Sequence, residues 1–281
     1  MYKIVALFLF LLPAISHSQT VCSLESRQRL DEALSRLSKT DLTGKSASEL
    51  TAEIGQWFLH IPYVEKTLEL PGEEKLVINL TGVDCTTYLE TVVTLARLAL
   101  KNEFSFEAFE NELERIRYRD GVNQGYPSRL HYFSDWIDQN QSKGILTDIT
   151  AGIGGEAYEN HPTFMTQNPQ FYPQLSEAEN REQLQNIEAA IATKNFYFIP
   201  KEKIQTLESQ IQSGDLIAIT TPMKNLDIVH VGFAIEKNGR IHLLHASSKN
   251  MKVEISELPL SDYLQANKSQ SGIMVGRLTG K

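Results

Sequence analysis

Leu80-Thr81-Gly82-Val83-Asp84-Cys85-Thr86-Thr87-Tyr88-Leu89-Glu90 is the stretch on which the reading of this chain turns. Gly82 ends a short strand expected over 75–80, and Asp84 is a residue type that caps helices well. Behind it Leu89, Val92, Val93, Ala96, Ala99 and Leu100 recur at three- and four-residue spacing. The pattern predicts a central buried helix from Thr86 to about Lys101, with Cys85 at its N-terminus. There the positive end of the macrodipole favours a thiolate.

Far downstream, Asp227-Ile228-Val229-His230-Val231-Gly232-Phe233 and Leu243-Leu244-His245-Ala246-Ser247 flank Asn238-Gly239, a strong hairpin signal. With Asn238-Gly239 as a two-residue turn, His230 lies opposite Ser247 and diagonal to His245; with the turn one residue earlier, it lies opposite His245. In both registers His230 and His245 share a face and His242 takes the other. A lone histidine is more often a structural group, but a capped thiol followed by two same-face imidazoles is the part list of a nucleophilic hydrolase. Cys85 would be the nucleophile, His230 its general base and ion-pair partner, and His245 the group that fixes the tautomer of His230. The Cys85 N–H would be one oxyanion donor. Zinc held by Cys85, Asp227, His230 and His245 is the rival use, but the spacing fits none of the usual ligand pairs. No metal and no organic cofactor are expected.

The rest of the chain frames this constellation. Leu24, Leu30, Leu34 and Leu37 mark one helix, and 46–59 a second, opened by the capping box Ser46-Ala47-Ser48-Glu49. A helix over 106–116 follows. From 117 to 175 periodicity weakens amid aromatics, glycine and proline, which points to irregular or functional surface. A helix over 176–193 is expected to open on a Ser-Glu-Ala-Glu cap. Leu216–Thr220, 229–235, 240–245, 253–256 and 273–278 then read as strands. Helices first and an antiparallel sheet later predict an α+β fold.

The 281 residues carry a net charge of −8, with 41% apolar and 22% charged side chains, an ordinary globular composition. No basic block is present, which argues against nucleic acid as a partner. Lys3, the uncharged apolar run Ile4–Leu12 and the small residues Ser16 and Ser18 predict a signal peptide over 1–18 and an exported, periplasmic protein. In an oxidising compartment a Cys22–Cys85 disulfide is the bland alternative. Cys22, however, is near the mature N-terminus, where chains are usually loose. A lipid anchor on Cys22 is a further option, although Gln19-Thr20-Val21 lacks the expected Leu-small-small pattern.

Asp84-Cys85-Thr86-Thr87 resembles the Asp-Cys-Ser-Gly nucleophile motif of the NlpC-type papain-like cell-wall peptidases, and His230-Val231-Gly232-Phe233-Ala234 resembles their His-Val-Gly-Ile-Tyr strand. Leu244-His245-Ala246-Ser247 resembles the strand carrying their third catalytic group, and Tyr63 takes the place of their upstream substrate-contacting tyrosine. Val77–Leu80, Arg117-Tyr118-Arg119, Ser128–Ile137 and Ser213–Ile217 extend the likeness to a bacterial exported family described as N-acetylmuramoyl-L-alanine amidase-like, over most of the mature chain. The resemblance implies one papain-like α+β domain over 19–281, helices packed on an antiparallel sheet. It also implies cleavage of the amide between the lactyl group of N-acetylmuramic acid and L-alanine in small soluble muropeptides, often anhydro forms. Thr86-Thr87 departs from Ser-Gly in the segment where the Asp-Cys-Ser of the related endopeptidases helps hold the free amine of the stem, and a long insertion follows at about 117–175. Its mixture of aromatic and polar groups suits a sugar. Tyr126, Arg129 and His131 are the expected substrate contacts beside Tyr63 and Asp84, with Tyr132, Phe133 and Trp136 equally readable as core. The partner is thus a muropeptide, and the expected state a monomer. A γ-D-glutamyl-diamino acid endopeptidase and a non-catalytic muropeptide-binding protein are the competing readings.

Overall fold

Residues 19–280 are described by the computed structural model, so the expected signal peptide lies outside the described residues. The chain runs through β1 (Thr20–Cys22), α1 (Leu24–Lys39), α2 (Ala47–Gln56), β2 (Leu76–Ile78), α3 (Cys85–Lys101) and α4 (Phe106–Arg117). The middle contributes α5 (Phe133–Ser142), β3 (Leu146–Asp148), β4 (Glu156–Tyr158), α6 (Phe164–Gln167) and α7 (Ala178–Ile191). Then come β5 (Phe196–Pro200), α8 (Lys201–Leu207), β6 (Leu216–Thr220), β7 (Ile228–Lys237), β8 (Arg240–Ser247), β9 (Lys252–Pro259), α9 (Leu260–Gln265) and β10 (Gly272–Leu278). This is a mixed α+β protein whose antiparallel sheet has the order β4-β5-β10-β6-β7-β8-β9, with β3 also paired to β10.

Helix α3 is the axle. Leu89, Val92, Leu95 and Ala96 are fully buried, and the same core holds Leu216, Ala218, Phe233, Leu244 and Met274 from one face of the sheet. The alternate residues Ile217, Ile219, Ala234, Leu243, Ile273 and Val275 pack with Ile204 of α8 and Leu260 and Leu264 of α9. Period-two alternation thus buries both sheet faces, which is why β6 reads as an unbroken apolar run.

Several sequence expectations are revised here. Leu24 is not on the buried face of α1 but 92% exposed. The N-terminus is tied down, because β1 pairs in parallel with β2 through Val21 and Val77. Both cysteines are free, so the Cys22–Cys85 disulfide does not form. Ser176 does not cap α7; its hydroxyl bonds the Pro173 carbonyl instead. The 117–175 stretch is not all irregular surface: Trp136 of α5 is fully buried, and β3 adds to β10 through Leu146 and Leu278. Its periodicity is weak because α5 buries charged and apolar residues together. Asp135, 1% exposed, is paired with Arg119 at 2.5 Å and Lys194 at 3.1 Å. The described residues contain no helix long and apolar enough to cross a membrane.

Candidate active site

Asp84 caps α3: its Oδ1 accepts hydrogen bonds from the Thr87 N–H and the Thr87 hydroxyl, both at 2.8 Å. The Asp84 N–H in turn donates to Thr87 Oγ1 at 2.9 Å. This reciprocal box holds Cys85 as the first helical residue, leaving its own N–H among the first-turn amides that have no intrahelical acceptor. A strap formed by residues 60–64 fixes the loop before it. Val83 N–H donates to the Pro62 carbonyl and Val64 N–H to the Val83 carbonyl, each at 3.0 Å. On its other edge, His60 N–H bonds the Val253 carbonyl at 2.8 Å and Tyr63 N–H the Met251 carbonyl at 3.0 Å. Gly82 is required by this close approach, since a Cβ there would lie 2.5 Å from Val64 Cγ2.

The histidines arrive on the hairpin in the first of the two expected registers. Lys237 pairs with Arg240, and Asn238 and Gly239 both have positive φ, 54° and 76°, as a two-residue primed turn demands. A β-bulge in β7, where Ile219 faces His230 but Thr220 faces Ile228, inserts Val229 and re-aims the chain beside His230. Gly232 allows β8 to close in, because a Cβ there would meet the Leu244 carbonyl at 2.7 Å and His245 Cβ at 2.9 Å. The result is a hydrogen bond of 2.6 Å between His230 Nε2 and His245 Nδ1. The rings are nearly perpendicular, 4.8 Å apart. His242 lies on the other face, its Nδ1–H donating to the Ser256 carbonyl at 2.9 Å.

Cys85 sits against this strand: the Val231 N–H, one residue past His230, favours its thiolate, as does Thr86. Burial and the Asp84 carboxylate oppose it more strongly and push the thiol up to about 11. The helix-dipole expectation of a thiolate is therefore corrected by desolvation. Burial, with the neighbouring His245, pulls His230 down to about 3, and burial alone pulls His245 to about 4. Burial thus works against the expected ion pair, since it disfavours the charged form of the thiol and of both imidazoles. A general base must be unprotonated to work, and lowering its pKa keeps it so in more acid solution. The acid limb of a kcat/KM–pH profile is accordingly expected well below 6.5, the ordinary imidazole value. No thiol-ionisation limb is expected near 8.5; a profile breaking at 6.5 would contradict the burial argument.

Tyr63 is carried by the strap to the nucleophile, and burial together with the nearby Cys85 and Asp84 pushes its phenol up to about 12. A cavity of about 290 Å³ is lined by Asp84, Thr86, Glu69, Arg129, His131 and Tyr172. Arg129, 5% exposed, donates to Glu69 at 2.5 Å and to the Leu68 carbonyl at 3.3 Å, with Glu74 3.6 Å away. These carboxylates are the partners a buried guanidinium needs. His131 Nε2–H donates to the Tyr126 carbonyl at 2.8 Å, and burial and the Arg129 charge pull its imidazole down to about 3. Tyr126 is the exception among the expected contacts. It is 3% exposed, stacks under Arg129 with 5.0 Å from guanidinium to ring, and lines a different cavity with Glu74 and Asn123. Its ring shapes the pocket through Arg129 rather than facing it. On the other side, a cavity of about 400 Å³ is lined by Val229, His230, His245, Ser247, Tyr263 and Gln270. Tyr263 and Gln270 escaped the sequence reading because neither stands in a patterned motif.

The rival metal use has lost a donor. Both Asp227 oxygens are taken, by the Ser134 and Ile228 N–H groups at 2.8 Å each, and no group of three or more His, Cys, Asp or Glu that could hold a metal occurs among the described residues.

No curated protein matches the chain. Among solved structures, an N-acetylmuramoyl-L-alanine amidase from Bacteroides uniformis shares 38% identity at a TM-score of 0.80, over 83% of this chain and 99% of that one. A Bacteroides fragilis structure, provisionally named a xylanase, shares 39% identity at a TM-score of 0.76, over 81% of this chain and 100% of that one. A Legionella pneumophila protein shares 27% identity at a TM-score of 0.69, over 92% of this chain and 97% of that one. The model of the family described as N-acetylmuramoyl-L-alanine amidase-like matches residues 53–273. This chain belongs to that family.

Proposed function

We propose that the protein is an exported cysteine N-acetylmuramoyl-L-alanine amidase with an NlpC-type, papain-like core, acting on soluble, often anhydro, muropeptides. The observation that carries the reading is the His230–His245 hydrogen bond beside the strand residue that contacts Cys85. His230 Nε2 is committed to His245, so its Nδ1 is the atom that takes the thiol proton as sulfur attacks the lactyl carbonyl. The tetrahedral oxyanion is met by the Cys85 N–H. His230 then gives that proton to the alanine nitrogen as the C–N bond breaks, leaving a thioester. Water, deprotonated by the same imidazole, attacks the thioester carbonyl; the sugar acid leaves and the thiol is restored.

Tyr63, Asp84, Arg129 and His131 are proposed to contact the substrate, with the 117–175 stretch shaping specificity. Cleavage of a xylan would instead require two available carboxylates across the sugar ring. Near Cys85, Asp84 is engaged in its cap, and Glu90 by Arg117 at 2.7 Å and Trp136 at 3.2 Å.

Mass spectrometry of a digest of defined muropeptides tests the reading. The expected products are free sugar acid and an intact stem beginning with L-alanine, lost after thiol alkylation. A stem cut internally would identify an endopeptidase, and tight binding with no product a muropeptide-binding protein.

A further inference from the structure

The tautomers of the histidine pair follow from the geometry. His230 must offer a lone pair at Nδ1 to Cys85, so its proton is on Nε2 and is donated to His245 Nδ1 across 2.6 Å. His245 must then carry its own proton on Nε2. That atom is buried and has no hydrogen-bond partner among the described residues, and the same is true of Gln270 Oε1. One is a donor and the other an acceptor. Both residues line the cavity of about 400 Å³ behind the pair, and they are only 2% and 5% exposed. An unpaired buried polar atom is costly, and here two complementary ones belong to residues that line one cavity.

We infer that Gln270 is a positioning residue: its carboxamide oxygen receives the His245 Nε2–H through the shared cavity, by one bridging water, and so fixes the tautomer that keeps His230 Nδ1 basic. Tyr263 is part of the device. Its ring packs edge-on against His245, 5.7 Å between centroids, and the Gln270 amide group donates to its hydroxyl. That contact turns the carboxamide nitrogen to Tyr263 and leaves the oxygen for the histidine. A water held by an imidazole N–H and a carboxamide oxygen meets the minimum of two polar partners. The relay would then read Cys85, His230, His245, water, Gln270, Tyr263.

Other charged groups around His245 do not substitute for Gln270. Glu254 faces it from β9, but one of its oxygens accepts from Asn250 at 2.6 Å and neither bonds His245 Nε2. Lys249 lines the cavity and brings donors only. Cys85 and His230 are on the reacting side.

The inference rests on the cysteine–histidine reading of the site and is tested without depending on the substrate. The rate of Cys85 alkylation by iodoacetamide is measured against pH in the full mature chain, alongside kcat and KM on a muropeptide whose products have been identified. Gln270→Leu is expected to slow alkylation and kcat about tenfold, the scale of one lost hydrogen bond, with KM unchanged. Gln270→Glu is expected to preserve the rate and to move the acid limb of both profiles upward by about one pH unit, because a carboxylate acceptor favours a charged imidazole. Tyr263→Phe is expected to show a smaller loss in the same direction, and keeps the test alive if Gln270→Leu folds poorly. Unchanged alkylation in Gln270→Leu, or an unmoved acid limb in Gln270→Glu, would overturn the assignment. Normal alkylation shifts with no muropeptide turnover would instead uphold it and reject the amidase reading.

Discussion

Cys85→Ala is expected to reduce muropeptide turnover by at least about four orders of magnitude, the scale on which removing a nucleophile leaves only oxyanion stabilisation and binding. Cys85 opens α3 but does not cap it: Asp84 and Thr87 make the cap. The variant should therefore melt within a few degrees of the parent. Cys85→Ser is expected to fare little better. With His230 pulled down to about 3 by burial, the imidazole is too weak a base for an alcohol, whereas a thiol is intrinsically far more acidic. Chromatography of digests followed over hours checks both, and turnover by Cys85→Ala near the parental rate would refute the mechanism.

The second large effect concerns stability. Arg117 and Glu90 are 3% and 2% exposed, and the guanidinium also donates to the Val77 carbonyl at 2.6 Å. One side chain thus joins the end of α4 to α3 and to β2. Arg117→Met leaves the Glu90 carboxylate buried without its guanidinium, still held by the Trp136 indole N–H at 3.2 Å. Removing one member of a buried pair costs about 3–5 kcal/mol, which for a domain of this size is a fall of roughly 10 °C in Tm. Because the penalty comes from the stranded charge, Glu90→Gln added to Arg117→Met should recover part of the loss. Urea melts of the two variants measure this; a double variant less stable than Arg117→Met would show that the guanidinium acts through packing alone.

How much of this could be read in advance depended on the range of the interactions. The face shared by His230 and His245 was legible because strand alternation gives it in either register of the hairpin; the choice between the two registers is made by the positive φ of Asn238 and Gly239. The α3 cap was legible because it too is local. The bulge at Val229 was not, since it answers to β6 rather than to its own sequence. The partners of Arg129, Glu69 and Glu74, were not legible, since they lie about sixty residues away along the chain. The burial that opposes a Cys85 thiolate was not legible, because a helix terminus is visible in sequence and desolvation is not. The aromatics of 126–136 were read as an even choice between sugar contacts and core. Trp136, Tyr132 and Phe133 are at most 7% exposed and belong to the main core.

The segment 60–64 is hydrogen-bonded to Val83 on one edge and to Met251 and Val253 on the other. The loop before the sulfur is thereby indexed to the strand beside His245 like two machine parts cut from one jig, by main-chain bonds as well as by the packing of Ile61 and Tyr63. Warming that frays these few amides would detune the chemistry while most of the molecule stayed intact, so inactivation and melting need not share a temperature.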